Sequence, residues 1–386
     1  MGAFLLFFHS AVTIMNSFLP IYFQHRGLTP MEIGWLLAVG PFAALFSQPF
    51  WGYMSDKYKT VKNILLICLS CVIVVSIILF QMESFWSILL LCGIFFTFMA
   101  PTGALGDSLT QRVTASAGIS FGKVRMWGSI GFAITSLVAG QVFSVIGIEN
   151  ILYLFLFYAV IAFCIVWKVT DVENKQKPVS LRGAFKVAAN PRFFLFLFMI
   201  VFITVPHRTN DSFIGIYIKS LGGSETLIGW AWFIAVVAEA VVFLFSSYWM
   251  ARSNEIMFLI IAAFIYCIRW FLFSVIESPY QLIFLQVLHG LSYGVFYLCS
   301  FQFVTKLVPK EFQATGQLLF LSTFFAFSGI IGSLAGGKIF DEFGGDTLYQ
   351  ISGCLALLGS VGLAVYYAFF IKEKGMPKVK SMERNL

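Results

Sequence analysis

The sequence predicts an all-α integral membrane protein: twelve transmembrane helices in two pseudo-symmetric six-helix bundles. Three observations carry this: a composition too apolar for water, a regular series of long hydrophobic runs, and an internal repeat linking the two halves. Of 386 residues, 59% are hydrophobic, 18% aromatic and only 11% charged. A soluble domain carries about 25% charged residues to cover its surface. The mean hydropathy of +0.89 agrees. A soluble enzyme and a disordered chain are thereby excluded. An excess of 25 Lys and Arg over 18 Asp and Glu would suit nucleic acid in a polar chain. Here it reads as orientation charge beside membrane spans, with the lipid bilayer as partner and no nucleic acid.

A hydrocarbon core about 30 Å thick takes about 20 apolar residues as a helix. Runs of that kind lie at 3–24, 31–55, 62–81, 84–111, 122–146, 149–168, 192–219, 225–249, 255–276, 279–307, 314–338 and 347–371. They are too long and too continuously apolar for barrel strands. The first run lacks a basic lead and a cleavage site, so it reads as a span and not a leader. The longest polar stretch, 169–190, splits the series into six and six. The expected organisation is a bundle at 1–168, a cytoplasmic linker at 169–191, a bundle at 192–371 and a tail at 372–386. Twenty of the 25 Lys and Arg residues fall on the side of the N-terminus, three (Arg26, Lys219, Lys338) on the other, and Arg208 and Arg269 inside spans. Both termini are therefore expected in the cytoplasm, with the spans in the plasma membrane. All seven cysteines sit in apolar runs. Cys68 and Cys71 form a CxxC with no second pair or nearby histidine, which reads as packing and not as a metal site.

The repeat appears when NSFLPIYFQHRGLTPMEIGW (16–35) is set against DSFIGIYIKSLGGSETLIGW (211–230). At a constant offset of 195, Ser17/Ser212, Phe18/Phe213, Ile21/Ile216, Tyr22/Tyr217, Gly27/Gly222, Ile33/Ile228, Gly34/Gly229 and Trp35/Trp230 match. SLVAGQVFSVIG (136–147) and SLAGGKIFDEFG (333–344) match at an offset of 197. A parallel six-helix repeat is the plan of secondary transporters, with substrate held between the halves near the midplane.

Four segments carry a family pattern: GYMSDKYKTVK (52–62), FGKVRMWGSIGF (121–132), LHGLSYGVF (288–296) and ATGQ (314–317). Together they resemble the major facilitator superfamily, in the branch of lactose and phenylpropionate permeases, over most of the chain. The resemblance implies that Gly52, Asp56 and Lys57 form a cytoplasmic gate motif. The glycine usual after the basic residue is absent, and after span eight only Arg252 remains of a second copy. It implies a substrate-holding pair in Asp107 and Arg125, eighteen positions apart, and a stacking aromatic in Phe132, where the family has tryptophan. It implies a proton-coupling set in Glu239, Arg269 and His289. The family's carboxylate three residues after that histidine falls on Ser292, and its lysine three before falls on Gln286. Its span-seven aspartates fall near His207 and Asn210, with Asp211 adjacent.

The same residues stand out without the resemblance. A charge at the bilayer centre costs about 2.5–3.5 kcal/mol on insertion scales, so an ionisable residue there is functional by default. Arg269 lies about fifteen residues into its span, about 22 Å deep. It needs a partner, and Glu239 on span eight is the candidate; outward snorkelling is the alternative. His289 reads as a proton or substrate group and His9 as a weaker candidate. The run His207–Arg208–Thr209–Asn210–Asp211 follows Pro206, and a proline inside a span marks a bend facing a cavity. Asn16 is its counterpart in the repeat. Plainer readings remain: Arg208 and Asp211 pairing along one helix, Asp107 and Arg112 as an inner-surface charge pair at the end of span four, and Arg125 as an ordinary positive-inside residue. Phe132, Trp127, Tyr293 and Tyr297 are candidate cavity aromatics.

The expected function is secondary active transport: proton-coupled symport of a small polar organic solute, sugar or nucleoside-like, by alternating access. The alternatives are an aromatic or other organic acid, and drug export. No HExxH or GxxxxGK[ST] occurs, so neither enzyme chemistry, nor ATP, nor a cofactor is expected. A monomer is expected.

Overall fold

In lipid the backbone has no partner but itself, so each apolar run must close its hydrogen bonds internally. The computed structural model describes residues 1–171, 187, 190–250, 254–309 and 312–372. Most of the expected linker, the tail beyond 372, and Lys175, Lys177, Arg182, Lys186, Arg252 and Lys310 lie outside the described residues. The first half folds as α1 (Gly2–His25), α2 (Pro30–Lys57), α3 (Val61–Leu79), α4 (Phe85–Ser116), α5 (Phe121–Ile146) and α6 (Ile151–Lys168). The second half gives α7 (Pro191–Ser220), α8 (Glu225–Leu244), α9 (Glu255–Phe273) and α10 (Pro279–Leu307). The helical run from Gln313 to Phe370 counts as one span by continuity, but Gly344 breaks it at φ 80, ψ 175. Its parts are α11 (313–343) and α12 (345–372), so the described residues form twelve spans.

Local chemistry sets the helix ends. Thr29 and Glu32 form a reciprocal cap at the start of α2, with Thr29 Oγ1 accepting from Glu32 N at 3.2 Å and Pro30 in the first turn. Thr60 caps α3 by accepting from Asn63 N at 3.2 Å. Asp171, just after α6, adds to that cap by accepting from Thr60 Oγ1 and from Lys62 N. Two spans outrun expectation. α4 continues to Ser116 and not 111, and along it Thr110 and Thr114 satisfy their hydroxyls within the helix by donating to carbonyls one turn back at 2.7 and 2.8 Å. α11 continues past Lys338 until Gly344 takes the left-handed backbone. α8 instead stops at Leu244, and a short helix, Ser246–Met250, follows.

The packing divides the chain differently from the repeat. One unit is Met1–Gln176 with Asp211–Phe233 and Ser333–Asp341. The other is Lys177–Asn210 with Ile234–Gly332 and Glu342–Leu386. In the first, α1 packs on α5 and α6, α2 on α4, and α3 on α4 and α6. This unit also holds two seams between first-half and second-half helices. A Cβ at Gly34 of α2 would stand 2.5 Å from the Ser333 carbonyl, and one at Gly337 of α11 3.0 Å from Gly34 Cα. A Cβ at Gly140 of α5 would stand 2.7 Å from the Glu225 carbonyl and 3.2 Å from Gly229 Cα of α8. The repeat partners Gly34/Gly229 and Gly140/Gly337 thus build one seam twice, α2 on α11 and α5 on α8. In the second unit α9 packs on α10, and α10 on the start of α11.

Among described non-glycine residues, Lys59 is the one with a positive φ, 52°. It sits in the α2–α3 turn from which the expected glycine is missing, and the turn keeps the shape that glycine ordinarily supplies. A side chain there costs about 1–2 kcal/mol, partly offset by the unfolded-state freedom that glycine brings. Lys59→Gly should stabilise the protein by about 0.5–1 kcal/mol. A thermal melt in detergent checks this, and an unchanged or lower midpoint counts against it.

Candidate functional site

Two polar clusters lie within the apolar bundle, one in each unit. In the first unit Arg125, one turn into α5, reaches Asp107 of α4: Nε stands 3.0 Å from Oδ1 and donates to Oδ2 at 3.3 Å. The side chains are 33% and 39% exposed, so the pair is open on one side. Asp107 lies nine residues inside the end of α4 and not at its terminus. Close α1–α5 contact holds this region in register. Ser10 Oγ accepts from Thr135 Oγ1 at 2.7 Å, and Gly131 lets the Leu6 backbone lie against α5. Phe132 follows Arg125 by two turns on the same face and meets Trp232 of α8 edge to face, centroids 5.9 Å apart. Asn16 is exposed on α1, while Thr13–Met15 and Ser17–Tyr22 are buried.

The second cluster surrounds a guanidinium. Arg269 of α9 is fully buried, with its charge 4.6 Å from the Trp270 ring centre and 5.2 Å from that of Phe273. It donates to three groups on one face of α10: Gln286 Oε1, His289 Nδ1 at 3.1 Å and Ser292 Oγ at 3.4 Å. An arginine can only donate, so His289 Nδ1 accepts and that ring carries its proton on Nε2. Ser292 Oγ in turn donates a hydrogen bond to the Leu288 carbonyl at 2.8 Å. Ser292 belongs to a π-helical turn, Gly290–Gly294, of the kind common at functional sites. Gly290 admits the Ala238 carbonyl of α8, and Gly294 faces Glu239 Cα, so half-buried Glu239 borders the turn.

Beside this, His207 of α7 is buried, with Nδ1 3.0 Å from the Tyr266 hydroxyl and its ring stacked on Tyr293 at 4.6 Å and 4°. His289 and His207 have ring centres 5.8 Å apart. Asn210 is buried and its Oδ1 accepts from the Tyr349 hydroxyl of α12 at 3.0 Å. The guanidinium of Arg208 lies over Phe325, 5.7 Å from the ring centre. The boundary between the units falls inside α7, after Asn210, so half-buried Asp211 belongs to the first.

Sequence reasoning anticipated Asp107 with Arg125, and Arg269 with His289, as neighbours. It treated Gln286 and Ser292 as losses, whereas both accept hydrogen bonds from Arg269. It missed Tyr266, Trp270 and Tyr349. The available signal was aromatic spacing on α9, where Tyr266, Trp270 and Phe273 share a face with Arg269. Gly52, Asp56 and Lys57 lie in the last turns of α2, with Asp56 and Lys57 exposed.

Twelve apolar helices that carry an ion pair and a buried guanidinium network are the build of a multi-pass membrane transporter of small solutes. The chain belongs to the MFS_1 like family, which it matches over residues 1–351. It is 24% identical over 364 residues to the maltose permease of Geobacillus stearothermophilus, covering 92% of this chain and 90% of that one. It is also 24% identical over 381 residues to the probable 3-phenylpropionic acid transporter of Escherichia coli (strain K12), covering 98% and 97%. The crystal structure of the nucleoside transporter NupG superposes with a TM-score of 0.84 at 18% identity, over 95% of this chain and 98% of that one. That likeness establishes the fold. The protein is a transporter and not an enzyme.

Proposed function

We propose that the protein is a proton-coupled symporter of a hydroxylated polar solute, a sugar or nucleoside, working by alternating access. The observation that carries this is the Asp107–Arg125 pair. A carboxylate and a guanidinium at 3.0 Å, open on one side, offer acceptor and donor together to hydroxyl groups. The family relation to a maltose permease and the fold of a nucleoside transporter support the solute class. Residues 1–168 and 192–371 would rock against each other, as in transporters built from repeated bundles. Glu239 would take the proton, with Arg269 and His289 setting the charge balance, so that a neutralised site crosses at lower cost. Asn16, Phe132, Asn210 and Asp211 would complete the solute contacts, and Gly52, Asp56 and Lys57 the cytoplasmic gate. The positive-inside bias supports cytoplasmic termini in a plasma-membrane monomer.

A second reading, an aromatic acid, is favoured by Arg208 over Phe325, whose ring meets Tyr297, and by the phenylpropionic acid relative. Uptake of labelled maltose, uridine and 3-phenylpropionate by cells expressing the chain separates the two. The first reading predicts uptake of maltose or uridine, reduced at least tenfold by Asp107→Asn and by Arg125→Gln. Uptake of 3-phenylpropionate only, insensitive to Asp107→Asn, would transfer the case to the second.

A further inference from the structure

His9 lies on α1 against α5, at Gly128, one turn beyond Arg125. A Cβ at Gly128 would stand 2.6 Å from Arg125 Nη1, 2.5 Å from His9 Cδ2 and 3.0 Å from His9 Nε2. The missing side chain is therefore the space in which the imidazole edge and the guanidinium edge meet. Arg125 uses Nε on Asp107 and turns Nη1 toward the histidine. The α1 backbone here is held in place. Thr13 Oγ1 donates to the His9 carbonyl at 2.8 Å, and Ser10 is bonded to Thr135. The Phe8 ring lies edge-on to the imidazole, with centroids 5.4 Å apart. His9 is half-buried, one helical turn before Thr13 and next to Ser10 on α1.

We propose that His9 is a specificity-determining residue of the solute site, and that with Asp107 and Arg125 it reads a vicinal pair of ring hydroxyls. The inference rests on the polar-solute reading above and narrows it to diol-bearing rings. Asp107 supplies a pure acceptor, Arg125 pure donors, and a neutral imidazole one of each. Adjacent hydroxyls, each both donor and acceptor, saturate such a set. An aromatic acid offers only carboxylate acceptors, so it has no hydroxyl donor for the imidazole's acceptor nitrogen or for Asp107. A site built to bond a hydroxyl strongly rejects the analogue that lacks it, because its own polar groups are left unpaired.

The test uses the full chain in proteoliposomes, with uridine and maltose and a series of their monodeoxy analogues covering each ring hydroxyl. Wild-type protein should transport at least one parent and reject at least one of its analogues by tenfold or more in kcat/KM. His9→Ala should raise KM for the parent at least tenfold with kcat within twofold, and should reduce that discrimination to twofold or less. His9→Asn, which keeps a donor and an acceptor, should recover most of both. Gly128→Ala, which places a methyl where the two edges meet, should shift KM in the same direction. Unchanged KM and unchanged discrimination in His9→Ala would overturn the role of His9 while leaving the polar-solute reading intact. So would a loss of kcat alone, or no recovery in His9→Asn. Transport of neither parent by wild-type protein would overturn both.

Discussion

Gly34→Trp and Gly229→Trp should each reduce transport at least a hundredfold while leaving expression within twofold of wild type. The reason is the doubled seam in the first unit. Ser333 and Gly337 leave no room for a Cβ at Gly34, and Ser136 and Gly140 leave none at Gly229. A real side chain cannot approach backbone atoms that closely, so the helices must separate. Small residues are what let membrane helices come this near. In the alternating-access cycle proposed above one end closes while the other opens, and with the termini in the cytoplasm, as proposed, these seams would lie at the external end. An indole there would hold that end open and block the return step. Protection of Ser333, 2% exposed in this structure, gives an independent readout. With the seven native cysteines replaced, Ser333→Cys should resist an external impermeant maleimide in the parent and react in the Gly34→Trp background. Wild-type transport by both tryptophan variants, or an unreactive Ser333→Cys, would contradict the seam's role.

Arg269→Ala should abolish uphill accumulation, with at least a tenfold loss of initial uptake rate, and Arg269→Lys should not restore it. Alanine leaves Gln286, His289 and Ser292 without the donor they share, at about 1–3 kcal/mol per orphaned buried group. Removing a buried cation relieves its own desolvation, so the net loss of stability is smaller than that sum suggests. The effect on transport is larger because the charge is the centre of the network. Lysine keeps the charge but not the planar fork that serves three acceptors and stacks on Trp270 and Phe273. Uptake, together with size-exclusion profiles of each variant, separates loss of function from loss of fold. Normal solute accumulation by the Arg269→Lys variant would show that charge suffices and that the hydrogen-bond geometry does not matter.

The spans were legible because lipid imposes one rule on every run, and glycines and charges punctuate them. The ends of α4 and α11 were not, because threonines that bond their own helix and a lysine on a long helix look like loop residues. The repeat announced Gly34 with Gly229 and Gly140 with Gly337, but not that each glycine faces a member of the other pair. That follows from packing at a distance, which a linear comparison does not contain. At the site, Asp107 and Arg125 were legible as a pair through the family resemblance and its eighteen-residue spacing, whereas their charges alone read equally well as inner-surface residues. The acceptors of Arg269 were not, because Gln286 and Ser292 are neutral and carry no charge signal to match. His9 had no visible partner until Gly128 brought α1 and α5 together.

Symport is the central claim, and substrate-induced proton movement in lightly buffered, de-energised cells tests it most directly. Adding the transported sugar or nucleoside to cells expressing wild-type protein should make the medium alkaline at once, and adding it to Arg269→Ala cells should not. Solute entry into wild-type cells with no change in external pH would contradict proton coupling and remove the role given to Glu239, Arg269 and His289.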